Sequence, residues 1–393
     1  MSYKKFLLLS LAAVALALPT DKSAKGIIPG KFVVALKPTG VDLEPHTRWV
    51  SDVHGQVLAC RGVESSGIDK TFSFPGFKGY SGSFDEETIN IIKANSSVLR
   101  VEPEHIFTVA SAVTQQSPPW GLSALSNANP PSSSASCTYD STAGAGTFAY
   151  ILDSGIYLQH QEFQGRAIFG ADTSGVTTKK THGTLVAALV NGATYGVAKK
   201  ATVVDVQVLG DDFGSTSGIL DGLGWTVNDV VSKKRAGKAV INMSLSGASS
   251  QILNDAVQKA IDAGIPVIAA AGNENQDASD SSPANHPNVI TVAASNKNYQ
   301  RWAQSNWGPA CDIFAPGQDI ISASSTSTSA SRTSSGTSEA APYVAGVVAY
   351  LLALEGSRTP AQIWSRLQEL AIKDKIADPK GVPNLLVYNG IGK

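Results

Sequence analysis

The chain has 393 residues, enough for a large core and for two or three folded units. Its 31 basic and 32 acidic residues leave a net charge of −1, with no basic face for nucleic acid and no charged tail. Three cysteines, Cys60, Cys137 and Cys311, are too few for a disulfide-stapled scaffold and allow at most one intrachain bridge.

Residues 1–18 place Lys4-Lys5 before an apolar run and end on Ala15-Leu16-Ala17, the pattern of a cleaved signal peptide. The run is too short for a comfortable membrane span, so the expected product is secreted, extracellular and free of the membrane. From residue 30 to about 109 the pattern is that of a small α+β unit. It has a strand at 31–36, a short helix at 46–53 stopped by Gly55, and a strand over 98–109. Between them Ser83-Phe84-Asp85-Glu86 has capping-box spacing and predicts a helix that carries Ile89 and Ile92 on one face. Residues 111–131, polar and marked by Pro118-Pro119 and Pro130-Pro131, read as a boundary segment.

Further on, strand-like runs at 148–152, 201–209, 240–245, 266–271 and 289–294 alternate with helical runs at 184–190, 217–233 and 251–263. This alternation predicts right-handed βαβ crossovers and an α/β fold whose mostly parallel sheet is covered by helices on both faces. The Ser/Thr-rich stretch 321–335 is expected to be an exposed loop. Thr359-Pro360-Ala361-Gln362 predicts a capped helix running to about residue 373.

Chemistry concentrates at the ends of these elements. Ser338 stands where Ser335-Gly336-Thr337 turns into an apolar stretch too uniform to be anything but a buried helix. Unpaired N–H groups and the positive dipole end of that first turn suit a nucleophilic hydroxyl beside an oxyanion, although a plain N-cap serine has the same look. Asp153 closes the strand at 148–152, and His182 opens the helix at 184–190. Asn273 closes Ala269-Ala270-Ala271-Gly272, where its amide would add an oxyanion donor. The chain order Asp, His, Ser is that of subtilisin. Gly336-Thr337-Ser338-Glu339-Ala340 lacks the last glycine of an esterase elbow, and no G-x-G-x-x-G follows the first strand of the alternating region, which sets aside a dinucleotide binder. Two glycosylation sequons occur, at Asn95 and, inside an apolar strand, at Asn242.

Five motifs in order, Leu152-Asp153-Ser154-Gly155-Ile156, His182-Gly183-Thr184, Ser244-Leu245-Ser246-Gly247, Ala270-Ala271-Gly272-Asn273 and Ser335-Gly336-Thr337-Ser338, make the chain resemble a subtilisin-family serine peptidase of the secreted fungal, proteinase K-like group. Gly79-Tyr80-Ser81-Gly82 and Val101-Glu102-Pro103 are similar to the inhibitory propeptide of the same family. The resemblance implies a signal peptide at 1–18, a ferredoxin-like inhibitor and chaperone propeptide at 19–113, and a subtilisin-like domain at 114–393. It further implies Ser338 as nucleophile, His182 as base, Asp153 as its orienting acid, Asn273 in the oxyanion hole, and Ser244, Leu245, Ser246 and Gly247 along the substrate groove. No cofactor is required. A structural calcium would sit on Asp312 and the carbonyls of Pro287 and Val289. The expected partners are protein or peptide substrates and the chain's own propeptide, acting on a monomer.

Glu339 replaces the Met usual after the nucleophile, Tyr343 stands where His is usual, and Ser246 replaces the first glycine of the groove motif. These departures leave two readings open: an autoprocessed serine endopeptidase, and a catalytically weak or inactive relative that binds peptide.

Overall fold

The computed structural model describes residues 27–59, 66–105, 112–132, 134–211 and 213–391. The signal-peptide segment, Cys60 and residues 106–111 lie outside the described residues. The chain divides into two compact units between Val109 and Ala110.

In the first unit β1 (Ile27–Leu36), α1 (Leu43–Ala59), β2 (Gly67–Phe74), β3 (Phe77–Ser83), α2 (Glu86–Ala94) and β4 (Val98–His105) follow in order. The strands form an antiparallel sheet in the order β2-β3-β1-β4, the ferredoxin-like arrangement. Its core is Val34, Leu36, Val50, Tyr80, Phe84, Ile89 and Ile92.

Two local expectations are corrected here. Helix α1 runs through Gly55 to Ala59, because Gly55 lies on the exposed side while Val50 and Val57 are buried. Their burial outweighs the roughly 1 kcal/mol that a mid-helix glycine costs. The cap of α2 is Asp85, not Ser83, and its carboxylate accepts from the Thr88 amide and hydroxyl, both at 2.9 Å. Ser83 is committed to the sheet opposite Lys31.

The second unit begins with structure where a boundary segment was expected. Strand β5 (Ala112–Gln115) pairs antiparallel with β6 (Cys137–Asp140), and the short helix α3 (Trp120–Ala124) between them is largely buried. Then come β7 (Phe148–Asp153), β8 (Ala167–Asp172), α4 (Thr181–Asn191), β9 (Thr202–Gln207), α5 (Thr216–Ser232), β10 (Ala239–Met243) and the short β11 (Gly247–Ala248). Next are α6 (Gln251–Asp262), β12 (Val267–Ala270), the short β13 (Ser281–Ser282), β14 (Ile290–Ser295), β15 (Ile313–Pro316), β16 (Ile320–Ala323) and β17 (Ser331–Ser334). Helices α7 (Thr337–Leu354) and α8 (Pro360–Leu370) and strands β18 (Ile372–Lys373) and β19 (Leu385–Leu386) finish the chain.

The main sheet has the order β18-β19-β15-β14-β12-β10-β7-β9-β8 and is parallel from β8 to β19. Both faces are covered, as expected of a parallel sheet. Ala149, Ile151, Val203 and Ile268 pack with α4 and α7, whereas the alternate residues Tyr150, Leu152, Val204 and Val267 pack with α5 and α6. Helix α7 is buried along nearly its whole length. It is the one helix among the described residues long and apolar enough to cross a bilayer, and its central position in the core accounts for that composition.

The Ser/Thr-rich stretch is not a free loop. β16 and β17 form a hairpin with Ile320 opposite Ser334 and Ser322 opposite Arg332. Ser322 is fully buried and its hydroxyl donates to the Leu185 carbonyl at 2.8 Å, so a polar strand residue serves as an inward one. The capping box at Thr359 and Gln362 forms as expected, but α8 stops at Leu370, where the chain joins the sheet as β18. Cys137 and Cys311 are both buried free thiols.

Candidate active site

Parallel strands bring the carboxyl ends of β7, β10 and β12 to one edge of the sheet, where α4 and α7 also begin. Asp153 ends β7, Ser244 follows β10, Asn273 follows β12, and His182 and Ser338 lie in the first turns of α4 and α7. A cleft of about 480 Å³ is lined by Asp153, His182, Ser338 and the strand-like segment from Ser244 to Ala248.

Asp153 is fully buried, and His182 Nδ1 lies 2.8 and 3.0 Å from its two carboxylate oxygens. That contact assigns Nδ1 as the protonated nitrogen of the neutral ring and leaves Nε2 as the base. The Ser154 amide donates to the same carboxylate at 2.7 Å. Burial disfavours the imidazolium, but the Asp153 carboxylate, and after it Glu339, favour it more strongly than Arg332 opposes it. The net effect holds the His182 pKa well above the ordinary histidine value.

Ser338 owes its local geometry to a proline. Pro342 has no N–H, so the carbonyl four residues back, that of Ser338, has no helical donor. The Ser244 hydroxyl takes that place at 2.8 Å and itself accepts from Asn242 Nδ2 at 3.0 Å. In return the Ser338 hydroxyl donates to the Ser244 carbonyl at 3.2 Å.

Asn273 is exposed, and its Oδ1 accepts from the Thr337 amide and hydroxyl at 2.8 and 2.9 Å. That pair fixes the flip of the amide, so Nδ2 is the atom left to donate. The Gly272 amide donates to the same Thr337 hydroxyl at 3.0 Å. A side chain at Gly336 would crowd the site, because a Cβ there would fall 2.6 Å from Glu339 Oε2.

Residues 144–388 match the Subtilase family of peptidases, Peptidase S8. The chain belongs to the subtilase family. Residues 31–110 of this subtilase match Peptidase inhibitor I9. Its relatives include Alkaline protease 1 of Aspergillus flavus, 44% identical over 402 residues with 99% of each chain covered. Subtilisin-like proteinase Mp1 of Magnaporthiopsis poae is 41% identical over 405 residues with 98% of each covered. Among solved structures, a cold adapted subtilisin-like serine proteinase matches with a TM-score of 0.65 at 37% identity, covering 70% of this chain and 98% of that one. The protein is thus a subtilisin-like serine endopeptidase carrying an I9 inhibitor segment.

The three departures from the family pattern behave differently in the subtilase. Glu339 is not turned to solvent but buried; burial raises its pKa, opposed chiefly by the nearby His182 and a hydrogen bond with Ser334. Tyr343 is fully buried, and its hydroxyl has no hydrogen-bond partner; Gly121 of α3 makes room for it, since a Cβ there would fall 2.3 Å from the hydroxyl. Ser246 is exposed on the cleft wall.

Pro287, Val289 and Asp312 precede β14 and β15, and therefore lie at the opposite, amino edge of the sheet, lining one small cavity. Asp312 Oδ2 accepts from the Thr291 amide at 2.8 Å, and burial pushes the carboxyl up to about 6, opposed by that bond. A buried carboxylate of this kind suits a cation. However, no group of three or more His, Cys, Asp or Glu side chains among the described residues could hold one, so backbone oxygens and water would have to complete the set. Asn242, the sequon inside an apolar strand, is fully buried between β7 and β12 with its amide engaged with Ser244. Asn95 is half-buried at the end of α2, its Oδ1 held by the Ser97 amide.

Sequence patterns did not reveal Thr337 as the partner of Asn273 or the relation between Ser244 and Pro342. Only the last had a local signal, a proline four residues after the candidate nucleophile.

Proposed function

We propose that the protein is a secreted endopeptidase made as an autoprocessed zymogen and that it cleaves peptide bonds through Asp153, His182 and Ser338. The observation that carries this is the contact of His182 Nδ1 with both oxygens of buried Asp153 in the cleft that also holds Ser338. Ser338 Oγ attacks the scissile carbonyl carbon while His182 Nε2 takes its proton. The tetrahedral oxyanion is held by Asn273 Nδ2 and by the Ser338 amide, which has no intrahelical acceptor in the first turn. Collapse of the intermediate passes the proton from Nε2 to the leaving amine and leaves an acyl-enzyme, which water, deprotonated by the same nitrogen, hydrolyses. Leu245, Ser246 and Gly247 offer an extended edge to the substrate backbone, with Ser246 narrowing the site for the residue before the scissile bond.

Residues 1–18 act as the export signal and the I9 unit as inhibitor and chaperone. The maturation bond lies within roughly residues 109–120, near the boundary at 113; the division of the chain into two compact units between Val109 and Ala110 supports that reading. Calcium at Asp312 stabilises the enzyme, the enzyme works as a monomer on protein or peptide substrates, and Asn95 is the acceptor of the two sequons that folding leaves reachable.

A fluorophosphonate probe tests the central claim on the mature protein across pH 5 to 10. Stoichiometric labelling that vanishes in Ser338→Ala is expected, rising toward alkaline pH as His182 loses its proton. A folded, propeptide-free protein that fails to label would instead be a peptide-binding relative.

A further inference from the structure

Asn306 lies between β14 and β15, outside every motif that marks the family in this chain, and is fully buried. Its side chain is spent entirely on one loop. Oδ1 accepts from the amides of Glu274 and Gln276, each at 3.0 Å, and Nδ2 donates to the Ala271 carbonyl at 3.0 Å and to Glu274 Oε2 at 2.9 Å. The Asn306 amide adds a bond to the Gly272 carbonyl at 2.9 Å. These five bonds hold the chain on both sides of Asn273. The same Glu274 oxygen also accepts from the Asn273 amide at 2.8 Å, so the anchorage passes directly to that residue. Gly272, at φ +104°, is the close-approach point: a Cβ on it would fall 2.3 Å from Asn306 Nδ2.

We propose that Asn306 is a positioning residue of the oxyanion site, fixing the 271–276 loop so that Asn273 Nδ2 stands where negative charge develops. The proposal rests on the assignment of Asn273 as oxyanion donor. Preorganised donors lose most of their effect when displaced by a fraction of an ångström, and Asn273 sits on an exposed loop. Thr337 holds its side-chain oxygen from the α7 side, and Asn306 holds its backbone from the β14–β15 side. Both clamps are needed to define the donor in space.

A double-mutant cycle on the mature enzyme tests this, with active sites counted by the probe and kcat, KM and Tm measured for each variant. Asn306→Asp keeps the shape and the acceptor oxygens but loses both donated bonds and sets a carboxylate against Glu274. It is expected to lower kcat by about tenfold while KM changes less than about twofold. Asn273→Ala is expected to lower kcat by about 10²- to 10³-fold, and Asn306→Asp added to it should cost no further kcat. The Tm loss from Asn306→Asp should be the same in both backgrounds. Equal kcat losses in the two backgrounds, or a Tm loss with kcat unchanged, would overturn the proposal and leave Asn306 a folding residue. An Asn273→Ala enzyme with undiminished kcat would instead overturn the oxyanion assignment itself. Should Asn306→Asp fail to fold, Asn306→Ser and Glu274→Gln, which weaken the same clamp, are read by the same cycle.

Discussion

At the scale of single residues, two buried carboxylates, Glu339 and Asp205, shape the pH response. Glu339, next to Ser338 in the chain, adds to Asp153 in favouring the His182 imidazolium. Glu339→Met should therefore move the acid limb of the kcat/KM profile to lower pH, by roughly half a pH unit given that the contacting Asp153 remains. Glu339→Gln should do the same, and an unmoved limb in both would remove Glu339 from the account. Asp205, on β9 opposite Ile151, is fully buried with neither oxygen in a well-formed hydrogen bond. Burial pushes its pKa up to about 7, with the Ile156 amide and Lys180 opposing and Asp153 and Asp172 adding to the rise. Below about pH 4 both folded and unfolded chains hold the proton and Asp205 costs nothing. As pH rises from there to 7 the unfolded chain ionises first, so stability falls by up to about 1.4 kcal/mol for each pH unit, and above 7 the loss is complete. Asp205→Asn should accordingly raise Tm at pH 9 and leave it nearly unchanged at pH 4, whereas a gain of equal size at both would show that packing rather than charge is responsible. Asp153, His182, Asn273 and Ser338 were all legible as candidates from sequence, each by its place at the end of a strand or the start of a helix. Asn306 and Asp205 were not, because nothing about an Asn in a loop or an Asp inside an apolar strand announces which partners it meets.

At the scale of elements, α7 shows how a helix interior can shape a site. Its proline releases the Ser338 carbonyl, and Ser244 from the end of β10 occupies it. Ser244→Ala leaves that carbonyl without its donor, which should cost about 1–3 kcal/mol and depress kcat more than it changes KM. Thr359→Ala is the matched control: losing the capping box of α8 should cost about 1 kcal/mol with kcat unchanged. Comparable kcat losses in both variants would mean that general destabilisation, not the position of Ser338, lowers the rate. Helix boundaries and the alternation of strands and helices were readable because hydrophobic period and caps are local signals. The β16–β17 hairpin and the ordered start of the second unit were not, since polar Ser/Thr strands and a Pro-bounded segment acquire their structure from what they pack against.

At the scale of the whole molecule, stability rests on the sheet and its two helical layers rather than on covalent staples. Cys137 and Cys311 are separate buried thiols whose pKa values burial pushes up. A reductant should leave the Tm of the mature enzyme unmoved; a fall would reveal a bridge. Calcium should raise Tm at pH 8 and Asp312→Asn should abolish the response, while chelation without effect would count against a cation at the amino edge of the sheet. The family, the two-unit plan, the α/β alternation and the candidates proposed as acid, base, nucleophile and amide were all written in the linear chain, since each is carried by residue types at fixed local positions. Folding in three dimensions was needed to bury Glu339 toward His182, to keep the two cysteines apart, to close off Asn242, and to clamp Asn273 between Asn306 and Thr337. Each of those depends on distance and burial between residues far apart in the chain, and no local pattern encodes them.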